Sequence, residues 1–312
     1  MIQTVEIAIC TWNRSASLAR TLDSLLHLRI PPGLNWRILV VDNGSTDDTA
    51  DVLDAYAEPL PLVPLTEPRQ GHTLARNRAI AESRAELILW TDDDVLVDSN
   101  WLEAYLAAAN QCPQMGFFGG RIEPHFPAGR PRWIAENWSQ VAGCFATRDL
   151  GSTALELTTE RLPYGANFAV RGDVQRAFPF NPNLGRRGQA VVGEDELDLL
   201  RRLLTAGQRG LWVPASSVQH VIPPERASTR YVFDYFVGQG AMLVNKGQPW
   251  SHSRWALRRQ YLWHQFASEV GQWVLPSPAW FAHLARAGLA LGQWQELVEQ
   301  QRQSSTAGSD RV

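Results

Sequence analysis

The 312-residue chain is short of cysteine, of unbroken apolar sequence and of surplus basic charge, and each shortage excludes a class. Its three cysteines, Cys10, Cys112 and Cys144, cannot all pair, which argues against a secreted disulfide framework and fits a reducing compartment. No run of about 18 uninterrupted apolar residues occurs, so no membrane-spanning helix is predicted. The 29 basic and 32 acidic side chains leave a net charge of −3, whereas a generic nucleic-acid binder needs a strong basic excess. The opening segment MIQTVEIAIC carries Glu6 and no basic stretch, so it does not read as a signal peptide. Internal repeats and low-complexity tracts are absent too. The balance of 45% apolar and 20% charged residues is globular, and the chain is long enough for one large domain or two smaller ones.

Two periods alternate over the first 120 residues. Short apolar runs at Val5–Cys10, Trp36–Val41, Leu62–Thr66 and Leu87–Thr91 read as strands. Between and after them, Ser15–Leu28, a segment capped by Ser45 or Thr46, His72–Ser83 and Asn100–Asn110 read as helices. Strand and helix in turn predict a parallel sheet with right-handed crossovers, and ligands of such sheets bind beyond the carboxyl ends of the strands. Residues 121–163, rich in Pro, Gly and Trp, read as irregular with short strands at best. Further on, Asn167–Arg171, Leu211–Val213 and Ser217–Val221 read as short strands and Glu194–Leu204 as a helix. From about Thr229 to Gln301 the pattern is helical and aromatic, and Ser304–Val312 reads as a frayed tail.

Acidic groups fall at the predicted strand ends: Asp42 after the second, and Asp92, Asp93 and Asp94 after the fourth. Alternate side chains of an extended segment face the same way, so Asp92 and Asp94 can converge on one hard cation shared with phosphate oxygens. The bland reading is a solvated acidic turn; the position at a strand end favours a site. Glu194-Asp195 opens a helix, where negative charge is favoured in any case, but a Gly-rich approach from Gly185 to Gly193 also lets a loop close over a ligand and a carboxylate there serve as general base. His220, in VQHVIPPER, is either structural or a further metal ligand. Asn43-Gly44-Ser45-Thr46 lacks the spacing of a dinucleotide fingerprint or a P-loop.

Taken together, ICTWNR (9–14), VVDNGSTDDT (40–49), EPRQGHTLARNRAI (67–80), WTDDDV (90–95), PYGANFAVRGDV (163–174), GEDELDLLRRL (193–203) and QHVIPPER (219–226) resemble the motifs of family 2 glycosyltransferases, in the family's order over residues 5 to 240. The first departs from the usual pattern, with Cys10 where proline is common. The resemblance implies an α/β fold of the GT-A type that handles nucleotide-diphospho-sugars. That fold has a central, mostly parallel sheet flanked by helices, here with a C-terminal helical extension. It implies a catalytic domain over residues 1–240, a helical extension over 241–303 and a flexible tail over 304–312.

By matched position, the resemblance places Thr11, Asn13, Arg14 and Asp42 at the nucleotide, Arg76 and Asn77 over the base, and Asp92 and Asp93 at the donor. Gly165, Ala166 and Asn167 would line the sugar pocket. Asp94 would be the main metal ligand, with Asp92 and His220 beside it, for Mn²⁺ or Mg²⁺. Asp195 would be the catalytic base and Glu194 its orienting partner. The implied activity is metal-dependent, inverting transfer of a hexose from a nucleotide-diphosphate donor, a UDP-sugar, to an acceptor hydroxyl. The acceptor would be a sugar, a lipid-linked sugar or another hydroxyl, in cell-surface polysaccharide or glycoconjugate biosynthesis.

The alternatives are a sugar-nucleotide nucleotidyltransferase, which would show a Gly-rich basic loop after the first strand where this chain has no glycine before Gly33, and an inactive carbohydrate- or nucleotide-binding relative. Six of the 13 tryptophans lie from Trp250 onward, with Arg254, Arg258 and Arg259 nearby. This segment reads either as helices packed on the catalytic domain or as a peripheral contact with the cytoplasmic membrane face. The expected location is cytoplasmic.

Overall fold

A computed structural model describes residues 1–184, 195–245, 253–275 and 277–309, with side chains through residue 302. In chain order, β1 (Thr4–Thr11), α1 (Ser15–Leu25), β2 (Asn35–Asp42), α2 (Thr49–Tyr56), β3 (Leu62–Thr66), α3 (His72–Glu82) and β4 (Leu87–Trp90) follow the predicted alternation. Next come β5 (Val95–Val97), α4 (Trp101–Gln111), β6 (Met115–His125), α5 (Arg132–Glu136), α6 (Trp138–Val141), β7 (Phe168–Arg171), α7 (Gly172–Ala177), α8 (Asp195–Thr205) and β8 (Arg209–Val221). Three helices close the chain: α9 (Thr229–Asn245), α10 (Arg254–Val274) and α11 (Ser277–Ser309).

The eight strands form one sheet in the order β3-β2-β1-β4-β7-β6-β8-β5. The half read from sequence, β3-β2-β1-β4, is parallel throughout. The other half is mixed: β7 runs antiparallel to β4 and to β6, β8 parallel to β6, and β5 antiparallel to β8. Three expectations need correction here. β6 is a long strand where irregular structure was expected from Arg121 on, and β5 has no sequence reading at all. The two short strands around Pro214 are one strand, which passes the proline through a register shift opposite Gly120 and Arg121. Nor do Ser45 and Thr46 cap α2, which starts later, at Thr49.

Both faces of the sheet are covered, so its strands are apolar on both sides. Ile7 and Ile9, Ile38 and Val40, and Leu87 and Leu89 join a core with Leu18, Leu22 and Leu25 of α1 and Leu102 and Leu106 of α4. The alternate residues Ala8, Leu39, Val41, Ile88 and Trp90 pack on the opposite face with Ala75 and Ala79 of α3 and Leu199, Leu200 and Leu203 of α8. The first turn of α1 borrows its cap: Asp47, in the loop after β2, accepts the Ser15 backbone N–H at 2.9 Å.

The chain divides into two compact units. One holds the sheet and its helices. The other holds residues Phe126–Cys144 and the chain from Ile222 on, including α9, α10 and α11. Within that unit α9 and α11 approach closely, because a Cβ at Gly240 or Gly292 would collide with the carbonyl oxygens of Leu289 and Val237. Trp133 of α5 stacks on Phe281, and Asn137 donates to the Ser277 hydroxyl at 2.7 Å.

Candidate functional site

The carboxyl ends of β1, β2 and β4 lie side by side because β1 pairs in parallel with both neighbours. Thr11 stands opposite Asp42 in the register, and the acidic triplet follows the last residue of β4. Thr11 donates its hydroxyl to Asp93 Oδ2 at 2.8 Å. Arg14, from the loop after β1, forks onto Asp93 Oδ1 at 2.5 Å and Asp94 Oδ2 at 2.6 Å. The loops after β1 and β2 are tied together: Asn13 Oδ1 accepts the Thr46 N–H at 2.7 Å, the Asn13 N–H donates to Ser45 Oγ at 2.9 Å, and Asp42 Oδ1 accepts the Ser45 N–H at 2.9 Å. Trp12 stands in the same loop with 43% of its surface exposed.

His220 reaches this corner through the sheet. The antiparallel pairing of β5 with β8 sets Val95 opposite His220, and the Val221 N–H donates to the Asp94 carbonyl at 2.9 Å. His220 Nε2 then lies 3.4 Å from Asp94 Oδ2. Its Nδ1 lies 2.9 Å from the Phe145 carbonyl oxygen. A carbonyl only accepts, so Nδ1 carries the hydrogen, and in the neutral ring Nε2 turns a lone pair towards a carboxylate. Two buried carboxylates here share one guanidinium. Burial pushes the Asp93 carboxyl up to about 7 against the pull of Arg14, and the Asp94 charge adds to the rise.

A second cluster joins α3 to the start of α8. His72 and Arg76, one helical turn apart, converge on Asp195: Arg76 Nη1 donates to its Oδ2 at 2.8 Å, and His72 Nδ1 is 3.3 Å from the same oxygen. The Arg76 guanidinium sits in an aromatic cage, 4.9 Å from the Phe180 ring centroid, 5.8 Å from Trp90 and 6.0 Å from Phe168. Its other contacts are acidic, Asp92 at 3.7 Å and Glu196 at 3.8 Å. Gly165 belongs to this cluster, since a Cβ there would come within 2.8 Å of Arg76 Nη2 and crowd Glu196.

The two adjacent carboxylates on α8 are driven apart. Burial alone would raise Asp195, but Arg76 and then His72 overcome it and hold the carboxyl well below the usual range. Burial and then the charge of Asp195 push Glu196 up to about 7 despite Arg76. One carboxylate is thus fixed as an anion, and its neighbour titrates near neutrality.

Three residues that the resemblance places at the donor are held by contacts within the protein. Asn167 is fully buried with all four amide positions used: Oδ1 accepts from Trp101 Nε1 at 2.8 Å and the Tyr105 hydroxyl at 2.7 Å, and Nδ2 donates to the carbonyls of Arg121 at 2.8 Å and Ser216 at 3.0 Å. It ties strands together. Ala166 packs into the core. The Asn77 amide clips the Phe180 backbone, donating to its carbonyl and accepting its N–H, each at 2.9 Å. Glu194 and the Gly185–Gly193 approach lie outside the described residues. Sequence reasoning missed His72 and Glu196; the signals were the helical spacing to Arg76 and the adjacency to Asp195.

Among known proteins, the model of the family described as glycosyl transferase family 2 matches residues 6–160. Over 234 residues the chain is 24% identical to the succinoglycan biosynthesis protein ExoM of Rhizobium meliloti (strain 1021), a match covering 73% of this chain and 70% of that protein. The structure is similar to that of mannosyltransferase PcManGT from Pyrobaculum calidifontis in complex with GDP-Man and Mn²⁺, with a TM-score of 0.56 at 18% identity over 93% of this chain and 72% of that one. It is also similar to S. aureus TarS in complex with UDP, with a TM-score of 0.53 at 17% identity over 95% of this chain and 91% of that one. The sheet and its flanking helices have the GT-A architecture of these transferases.

Proposed function

The chain belongs to glycosyl transferase family 2 and is a glycosyltransferase; from that premise we propose that it transfers a hexose from a UDP-sugar to an acceptor hydroxyl, with inversion at the anomeric carbon. The observation that carries this reading is the pairing of two unlike carboxylate clusters in one unit: a partly open corner with surplus negative charge, and a buried carboxylate fixed as an anion.

Asp195 is the base. Its ionised carboxylate accepts the proton of the acceptor hydroxyl as that oxygen attacks the anomeric carbon from the face opposite the departing diphosphate. Arg76 and His72 position Asp195 and keep it charged. At the nucleotide, the loops after β1 and β2 present Asn13 and Asp42, with Trp12 as an exposed aromatic face for the base. Thr11 and Arg14 fix Asp93, and the exposed part of the Arg14 guanidinium is available to a diphosphate. Gly165, without a Cβ, lets Arg76 and Glu196 pack close to the backbone beside the donor sugar.

The donor set fits a divalent cation, Mn²⁺ or Mg²⁺. Asp94 Oδ2 and His220 Nε2 lie 3.4 Å apart, Asp92 is nearby in sequence and partly exposed, and two buried aspartates share the one Arg14 guanidinium. Among the described residues no group of three or more His, Cys, Asp or Glu side chains is placed to hold a metal ion by itself. When bound, the cation supplies Lewis-acid neutralisation of the leaving diphosphate, so no protein acid is needed there.

The acceptor is a sugar, free or lipid-linked, in assembly of a cell-surface polysaccharide or glycoconjugate; the likeness to a succinoglycan biosynthesis protein supports this. The enzyme works in the cytoplasm, where its three free thiols stay reduced, and touches the membrane face through its C-terminal helices. No described helix is long and apolar enough to cross a membrane. A thermal-shift screen of nucleotide sugars with and without Mn²⁺ tests the reading. One UDP-sugar should raise Tm by several degrees only with the cation present, because a ligand bound to the native state stabilises it by mass action. A uniformly flat screen would contradict it.

A further inference from the structure

α10 carries its apolar face outward. Trp255, Leu262, Trp263, Phe266, Val270 and Trp273 are between 45% and 84% exposed, and at 100° per residue they fall within an arc of about 100°. The opposite side of the helix holds its buried residues, Leu257, Ser268 and Gly271, and Gly271 packs closely against Trp280 of α11. Amphipathic helices ordinarily bury the aromatic side and expose the small and polar one, and here the order is reversed. The stripe runs for roughly 27 Å, from Trp255 to Trp273, at 1.5 Å per residue.

Basic charge is concentrated at one end of it. Arg258 borders the stripe and Arg254 lies further round on the same side, both exposed, while Arg259 lies inside it with its guanidinium 4.6 Å from the Trp255 ring centroid. Three arginines and one glutamate, Glu269, are the Arg, Lys, Asp and Glu side chains of α10. An arginine within an aromatic stripe is costly against an apolar protein partner unless an acid is buried with it. Against a lipid surface its stem lies along the rings and its head meets a phosphate. A parallel self-paired coiled coil is disfavoured as well, because any heptad seam through Leu262 and Phe266 sets Arg259 against Arg259 and Glu269 against Glu269.

We propose that α10 is an in-plane membrane anchor. It lies in the headgroup region of an anionic bilayer, with the tryptophans inserted at the boundary with the acyl chains and Arg254, Arg258 and Arg259 on lipid phosphates. This deepens the membrane contact named above into one helix face and one lipid charge, and it stands apart from the chemistry of the sheet.

Flotation of the full chain with phosphatidylcholine vesicles, with and without a one-third share of phosphatidylglycerol, tests it. The chain should float with the anionic vesicles alone, release as salt rises, and have its tryptophan emission quenched by brominated lipid. The double variant Trp263→Ser/Trp273→Ser should lose flotation at least tenfold without losing thermal stability, since both side chains are exposed. Arg258→Gln and Arg259→Gln should each weaken binding about fivefold. UDP binding in Mn²⁺ should be the same for all of them, so the anchor can fail while the transferase reading stands, or the reverse. Absence of wild-type flotation, flotation indifferent to the tryptophan variant, or a concentration-dependent dimer that the variant dissolves would each overturn the proposal.

Discussion

Arg14 and Arg76 each sit among carboxylates within the same unit, yet the Arg14 side chain is 33% exposed and that of Arg76 is 3%. Arg14 lies over two buried aspartates and leaves part of their charge unmatched, so its corner is poised to take up a cation and a diphosphate. Arg76, boxed by three aromatic rings, has no alternative partner in water, and its charge is spent on fixing Asp195. The difference shows how one fold keeps an exchangeable electrostatic site and a permanent one: the first by leaving its arginine at the surface, the second by desolvating it.

The sharpest way to break this contrast is to remove the fixed anion. Asp195→Asn should lower kcat about 10³-fold while donor affinity stays within a few-fold, because the amide keeps the shape and loses the base. Turnover at the wild-type rate would remove Asp195 from the mechanism. The arginines themselves come next. Arg76→Met leaves a buried carboxylate unpaired and should cost about 3–4 kcal/mol in denaturant unfolding, whereas Arg14→Met should cost less, because its side chain is partly in water and Asp93 can take up a proton. Equal losses would erase the distinction. In the Arg76 variant the Asp195 carboxyl should also rise, moving the acid limb of the kcat–pH profile to higher pH.

Glu196 provides the smallest effect and a defined sign. Its carboxyl titrates at about 7 in the native state against 4.5 unfolded, so the native state binds the extra proton and stability falls as pH climbs between those values. Glu196→Gln lacks that decline. Its stability should match wild type below pH 4.5 and exceed it above pH 7. A constant difference across the range would mean that Glu196 does not titrate in this way.

The exchangeable corner was largely legible in the sequence, because its carboxylates follow apolar runs of strand length and parallel sheets bind at those ends. The sequence could not show that β5 turns back onto β8, which is what delivers His220 to Asp94. The buried cluster was less legible. The resemblance placed Arg76 over the base, and only the packing of α3 and α8 over the sheet reveals its aromatic cage and its pairing with Asp195. Asn167 misled for a related reason. Its motif position is real, but the distant donors and carbonyls of Trp101, Tyr105, Arg121 and Ser216 take all its hydrogen bonds. Pro214 likewise made β8 look like two strands, since proline ordinarily ends a central one and here is absorbed by a bulge.

The central claim, that one cluster binds donor through a cation and the other performs the proton transfer, is tested most directly by calorimetric titration of UDP into wild type, Asp94→Ala and Asp195→Asn, each with and without Mn²⁺. Wild type and Asp195→Asn should bind only with the cation, and Asp94→Ala should not bind in either condition. Cation-independent binding by Asp94→Ala, or loss of binding in Asp195→Asn, would contradict the account.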